Sequence, residues 1–195
     1  MTLTYQTVTG EGIAALVPDL AALRIAVFRD WPYLYAGSQQ NEERYLASYA
    51  TARAGVIVVA RDEGRIVGAA SGMALEDHAD DFGAALPDVD PADVFYCAES
   101  VLLLPYRGQG AGLRFFAERE AQARAAGRRY AMFCAVMRPA DHPARPDDYV
   151  PLDAFWRRRG YAPVEGAVAQ FAWHDVGADE ETTKPLQVWL KDLTA

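Results

Sequence analysis

The chain is short of cysteine, histidine and long apolar runs, and each shortage removes a class of function. Its only cysteines, Cys97 and Cys134, both sit in apolar, strand-like stretches. That placement fits buried thiols better than a disulfide or a metal pair. The three histidines, His78, His142 and His174, show no ligand spacing, so no metal site is expected. No apolar run approaches the roughly 18 residues of a membrane-spanning helix. The first residues also lack the basic-then-apolar order of a signal segment, so a cytoplasmic location without a membrane partner is the expectation. Clustered Lys and Arg of the kind that hold a nucleic-acid backbone are missing from a chain of net charge −8, which excludes nucleic acid but leaves room for a cationic partner. Residues 66–106 contain no Lys or Arg at all. Neither an internal repeat nor a low-complexity tract interrupts the order.

What is present is an ordinary globular chain. At 195 residues and 51% apolar content it is long enough for one domain with a full core. Residues 3–8 alternate as a first strand. A helix follows from about Pro18-Asp19, with Leu16, Leu20, Leu23 and Val27 at helical spacing. Next comes the aromatic loop Arg29-Asp-Trp-Pro-Tyr-Leu-Tyr35, and Asn41 with Glu42 and Glu43 reads as the capped start of a second helix. Residues 56–61 and 66–73 are apolar strands joined by the hairpin signal Asp62-Glu-Gly-Arg65. An insertion over 74–93 carries Glu76, Asp77, Asp80, Asp81, Asp88, Asp90 and Asp93. It is either a solvated helix and loop or an acidic wall that attracts an amine.

Residues 95–104 form the central strand, with 101–104 bulky enough to be buried on both faces. Pro105 ends it. The sequence Arg107-Gly108-Gln109-Gly110-Ala111-Gly112 then turns into a helix over 113–126, where Glu120 and Arg124 make an i,i+4 pair and Gly127 supplies the stop. Glycines let the backbone turn its N–H groups toward one point, and the first N–H groups of the helix have no partner of their own. Together these make an anion cradle with Arg107 at its rim. Neither the dinucleotide-binding glycine spacing nor the Gly-Lys-Ser/Thr of a nucleotidase loop is present. Residues 130–136 are an interior strand. A proline-rich loop over 138–151 leads to a short helix over 152–161, and 168–173 and 185–190 close the chain as strands.

The glycine segment resembles the coenzyme A pyrophosphate loop of the GNAT superfamily of N-acetyltransferases, Arg/Gln-x-x-Gly-x-Gly/Ala after a strand. Phe155-Trp-Arg-Arg-Arg-Gly-Tyr161 resembles that family's second signature, Phe-Tyr-x-x-x-Gly-Phe, in the expected order. The element order matches over nearly the whole chain. The resemblance implies a single domain over 1–195 with the GNAT fold: α+β in three layers, a mixed central sheet flanked by helices. It implies acetyl-coenzyme A as acyl donor without a metal, a small-molecule amine as acceptor, and it leaves room for a homodimer. A larger acyl group, another acceptor, or a non-catalytic acyl-coenzyme A binding module are the alternatives.

By the same resemblance, Gly108, Gln109, Gly110, Ala111, Gly112 and Leu113 with Arg107 hold the pyrophosphate. Leu102, Leu103 and Leu104 pair with the pantetheine arm, and Trp156 lies against the cofactor. The aromatic residues Trp31, Tyr33 and Tyr35 either plug the core or line the acceptor pocket, with Glu76 as an acidic contact. An amine must lose a proton before it attacks, and Glu99, a charge on an otherwise apolar strand, is the candidate base. The tyrosine that frequently protonates the leaving thiolate is replaced by Trp156, which has no acidic hydroxyl, so Tyr149 is the candidate acid.

Overall fold

The computed structural model describes residues 2–78, 82, 85, 86 and 89–194. The chain runs through β1 (Thr4–Thr9), α1 (Val17–Phe28), α2 (Gln39–Ala47), β2 (Val56–Asp62), β3 (Arg65–Ala74), β4 (Val94–Leu102), α3 (Ala111–Ala125), β5 (Tyr130–Val136), α4 (Asp153–Arg158), β6 (Ala162–His174) and β7 (Glu181–Asp192). The strands form one mixed sheet in the order β1-β2-β3-β4-β5-β7-β6. Helices α1 and α2 cover one face, packing Leu20, Leu23, Phe28 and Leu46 onto Ile57, Val59, Ala69 and Val101. The other face carries α3 and α4 through Phe115, Phe116, Phe155 and Trp156.

Local chemistry accounts for most boundaries. Pro18 and Asp19 occupy the first turn of α1, where a missing N–H costs nothing and a carboxylate meets the positive end of the dipole. In the β2–β3 hairpin Glu63 and Gly64 both have positive φ, 47° and 86°, the backbone of a two-residue type I′ turn. Helix α3 ends at Gly127, φ 70°, with Arg128 N–H reaching back to Ala123 O at 2.9 Å. Helix α2 is capped by Ser38, whose Oγ accepts from Asn41 N–H, rather than by Asn41 as the sequence suggests. The closing strands outrun the predicted 168–173 and 185–190 at both ends.

Three features of β4 position the site. Its pairing with β5 is the one parallel contact between neighbouring strands among the described residues, and it holds for only three residues, Val94 to Tyr96 against Tyr130 to Met132. Beyond them the two strands part and leave a gap. The register against β3 also slips between the pairs Met73↔Tyr96 and Ser71↔Glu99, so β4 carries one extra residue there. That bulge inverts the side-chain alternation. Tyr96, Glu99 and Val101 therefore share the face covered by α1, although an unbroken strand would put Tyr96 and Glu99 on opposite faces. The strand also ends at Leu102, and Leu104 is 71% exposed, contrary to the expectation that 101–104 is buried. Pro105 sets a short helical turn over Leu104–Tyr106, and on the β5 side β4 is unpaired beyond Tyr96 among the described residues.

Candidate active site

The glycine loop meets the geometric requirements of an anion cradle. Gly108 and Gly110 have φ of 75° and 88°, and a Cβ added to either would point into open space. Among the described residues, the N–H groups of Gly108, Gln109, Gly110, Ala111 and Gly112 have no acceptor; Leu113 and Arg114 N–H already bond Gly110 O. Five donors thus sit free at the N-terminus of a 15-residue helix. The loop is braced from within, because Gln109 Nε2 donates to Pro105 O at 3.0 Å and Arg107 Nε to Leu102 O at 3.1 Å. The residues present fit a pyrophosphate.

Glu99 lies on the α1 face of β4 at the start of the splayed segment, inside a buried charge cluster. Arg24 Nη1 is 2.6 Å from Glu99 Oε1, and Tyr45 donates its hydroxyl to Glu99 Oε2 at 3.0 Å. The same guanidinium pairs through Nε with Glu42, and it stacks over the rings of Tyr45 and Phe28 at 4.5 and 4.9 Å. The Tyr45 and Tyr49 hydroxyls are 2.6 Å apart. Burial works against the Arg24 charge, but Glu99, Tyr45 and Glu42 outweigh it and hold the guanidinium firmly protonated. One cation thus serves two buried carboxylates, and the cluster keeps one formal negative charge in excess.

The aromatic loop closes the gap from above. Tyr33 packs against Phe28 at 4.5 Å and Trp173 at 6.1 Å between ring centroids. Burial pushes its phenol well up, with Cys134, Glu99 and Tyr149 adding to the rise. Tyr33 is therefore within electrostatic reach of β4, β5 and the proline-rich loop together. Trp31 lies 5.1 Å from His142 and 5.8 Å from Tyr149. The loop is fixed by Arg138, which donates to Pro32 O and Tyr33 O at 3.0 and 2.7 Å and grips Asp175 with two bonds of 2.8 Å. Lys184 supports Asp175 at 3.3 Å. Burial pushes the Cys134 thiol beside this space up to about 12, which keeps it in the protonated, unreactive form near neutral pH.

The Acetyltransferase (GNAT) family model matches residues 22–161. The chain belongs to that family. GNAT membership carries acetyl-coenzyme A-dependent acyl transfer as its general activity. A search of curated proteins returns no match. Among solved structures, an N-acetyltransferase from Staphylococcus aureus Mu50 superposes with a TM-score of 0.62 at 11% identity, over 99% of each chain. Ribosomal-protein-alanine N-acetyltransferase from Brucella melitensis gives 0.62 at 15%, over 98% of this chain and 99% of its own. The acetyltransferase yncA of Salmonella typhimurium, solved with its cofactor acetyl-CoA, gives 0.60 at 12%, over 99% and 95%. At these identities the likeness is one of fold.

Within this GNAT frame the predicted residues divide. Glu99 and Tyr33 come within electrostatic reach of each other, and Trp31 and Tyr149 pack against each other at the proline-rich loop. Leu104 and Leu113 are exposed beside the cradle, at 71% and 49%, while Leu102 and Leu103 are half-buried on opposite faces. Tyr35 pairs through its backbone as a bridge with Asp175, while its phenol reaches Glu42 of the charge cluster; burial first and that hydrogen bond second push the phenol up. Trp156 packs into the core against Phe133 and Trp189, at 5.0 and 5.1 Å. Glu76 lies beyond the opposite end of β4, where Arg128 and Arg53 hold it at 2.7 and 3.1 Å. Burial works to raise its carboxyl, but those two partners outweigh it and keep it below its ordinary value. Of the acidic insertion, Asp80, Asp81 and Asp88 lie outside the described residues. Sequence reasoning missed Arg24, Glu42 and Tyr45. A signal was there: Leu20, Arg24 and Phe28 share a helical stripe, and so do Glu42, Tyr45, Leu46 and Tyr49.

Proposed function

We propose that this chain moves the acetyl group of acetyl-coenzyme A to the primary amine of a small cationic acceptor, by direct attack with Glu99 as proton acceptor. The observation that carries it is the parting of β4 and β5 after Tyr96, which sets the free N–H groups of Gly108 to Gly112 and the Glu99 carboxylate along one gap. The donor supplies an acyl group already activated as a thioester. Gly108 to Gly112 hold its pyrophosphate, and the edge of β4 that faces the gap offers backbone donors to the rest of it.

The remaining work falls to this chain's side chains. An ammonium group is drawn by the excess negative charge of the Arg24–Glu42–Glu99 cluster and by the faces of Trp31 and Tyr33. Glu99, oriented by Arg24 and Tyr45, takes its proton directly or through one water. The Tyr149 phenol is pushed up by burial first and Asp153 second, so it stays protonated and can donate to a departing thiolate. The clamp of Arg138 and Asp175 holds the aromatic loop over the gap and limits the entry of bulk water.

Thiol release from acetyl-coenzyme A, measured against a panel of amines, tests this directly. Glu99→Gln keeps the side-chain size and lowers kcat by about 10²–10⁴-fold, with loss of the acidic limb of the pH profile and little change in KM for acetyl-coenzyme A. An unchanged profile removes Glu99 as base. Binding of acetyl-coenzyme A without thiol release from any amine would refute the transferase assignment.

A further inference from the structure

Arg119 is one of the most deeply buried side chains of the protein, at 2% exposure. Its Nη1 donates to Glu99 O at 2.9 Å and to Ser71 O at 3.2 Å. Its Nη2 donates to Ser100 Oγ at 2.9 Å, and its Nε to Phe115 O at 3.3 Å. The guanidinium lies 5.0 Å from the ring centre of Phe116. Every acceptor is neutral, and no ion pair with a carboxylate forms among the described residues. A buried cation without a counter-charge is costly, even where its donors all find neutral acceptors. Packing alone therefore does not account for Arg119.

Its position does. The Ser71 and Glu99 carbonyls flank the β4 bulge, where the regular ladder is interrupted. Leu103 N–H bonds Val67 O at 3.0 Å, which fixes the phase of the backbone after the bulge. Glu99 and Val101 turn their peptide groups toward β3, and Ser100 and Leu102 turn theirs toward the gap. The Leu102 carbonyl shows this orientation, since Arg107 takes it from outside the sheet. The peptide unit between Glu99 and Ser100 thus has its carbonyl on Arg119 and its N–H facing the gap. A cation on the carbonyl polarises the unit and makes the N–H a stronger donor.

We propose that Arg119 is a positioning residue for acyl transfer: it holds the bulge that directs Glu99 into the gap and strengthens Ser100 N–H as a donor to the thioester carbonyl oxygen, where negative charge develops. This rests on acetyl-coenzyme A being the donor, as proposed above.

The test is isotope-edited infrared spectroscopy of carbonyl-¹³C acetyl-coenzyme A bound to the wild type, Arg119→Met and Arg119→Lys, alongside steady-state kinetics. The wild type lowers the carbonyl stretch relative to free solution. Arg119→Met loses most of that lowering, with kcat down about tenfold or more and KM for acetyl-coenzyme A changed less than about twofold. Arg119→Lys, which keeps the charge but has fewer donors, lies between, and it carries the test if the methionine variant does not fold. A merely structural role changes stability or occupancy and leaves the stretch of the bound thioester where it was. Wild-type stretch and kcat in the variants overturn the inference alone, whereas a wild type that binds no acetyl-coenzyme A overturns the donor assignment and this inference with it.

Discussion

Replacing Arg24 by Met isolates the electrostatics of the site. In the wild type, two carboxylates with side-chain exposures of 3% and 8%, Glu42 and Glu99, share that single guanidinium. At an effective dielectric constant of 20, each contact of about 4 Å between charges is worth roughly 4 kcal/mol of attraction. Part of that is offset by the desolvation of Arg24, which the variant no longer incurs. Removing one partner of a buried pair costs about 3–5 kcal/mol in net terms, and we expect a loss in that range. For a domain of this size that is roughly a 6–20 °C fall in Tm.

Urea unfolding followed by circular dichroism at pH 7 reads this loss. Adding Glu42→Gln removes one stranded charge and should restore about 1–3 kcal/mol. A loss below about 1 kcal/mol for Arg24→Met, or a second substitution that only adds its own cost, would refute the shared-cation account.

Gly110→Ala should cost about 1–2 kcal/mol of stability, because φ is 88° and nothing obstructs a Cβ there. Gly110→Glu adds a carboxylate at the cradle and should weaken acetyl-coenzyme A binding by more than about tenfold beyond the alanine variant, as measured by calorimetry. Tyr149→Phe should slow turnover with coenzyme A affinity unchanged; full activity in that variant would assign thiolate protonation to water. Asp175→Asn leaves Arg138 and Lys184, with side chains 9% and 4% exposed, short of a counter-charge, and should cost about 2–3 kcal/mol at pH 7. Burial works to raise the Asp175 carboxyl, but Arg138 and Lys184 outweigh it and depress it. Its contribution is therefore present above its unfolded value and lost as pH falls through the folded one, and the gap between wild type and variant should close below about pH 4.

The cradle was legible in the sequence because it depends on residue type: positive φ needs glycine, and a helix start needs free donors. Glu99 stood out as a charge on an apolar strand. Its surroundings were less legible. Arg24 and Glu42 occupy core-facing helical positions where an apolar pattern absorbs them, and only the fold shows that they meet. The bulge left no mark in composition, since Cys97-Ala98 reads like any stretch of strand. Nothing in the sequence sets Arg119 apart from Arg114, Glu118, Glu120 and Arg124 on the same helix, yet α3 turns it under the sheet. Leu104 was misjudged because the apolar run 101–104 does not show that the strand ends at Leu102 and that Pro105 turns the chain outward.

The extra residue in β4 gives that strand a frame, in the sense that a gene has one. Point substitutions on either side of the slip alter one side chain each. Deleting Ala98 would remove the extra residue and let Glu99 follow Cys97 in strict alternation, so Glu99 and Val101 would still face α1 and Ser100 and Leu102 α3, with Glu99 opposite Ser71 as before. A second deletion would exchange those faces as far as the strand stays paired with β3 and rewrite the whole floor of the gap. Between Tyr96 and Glu99 the loss of one residue should thus keep the side chains of the site in place, and the loss of two should not, whatever the chemistry of the residues involved.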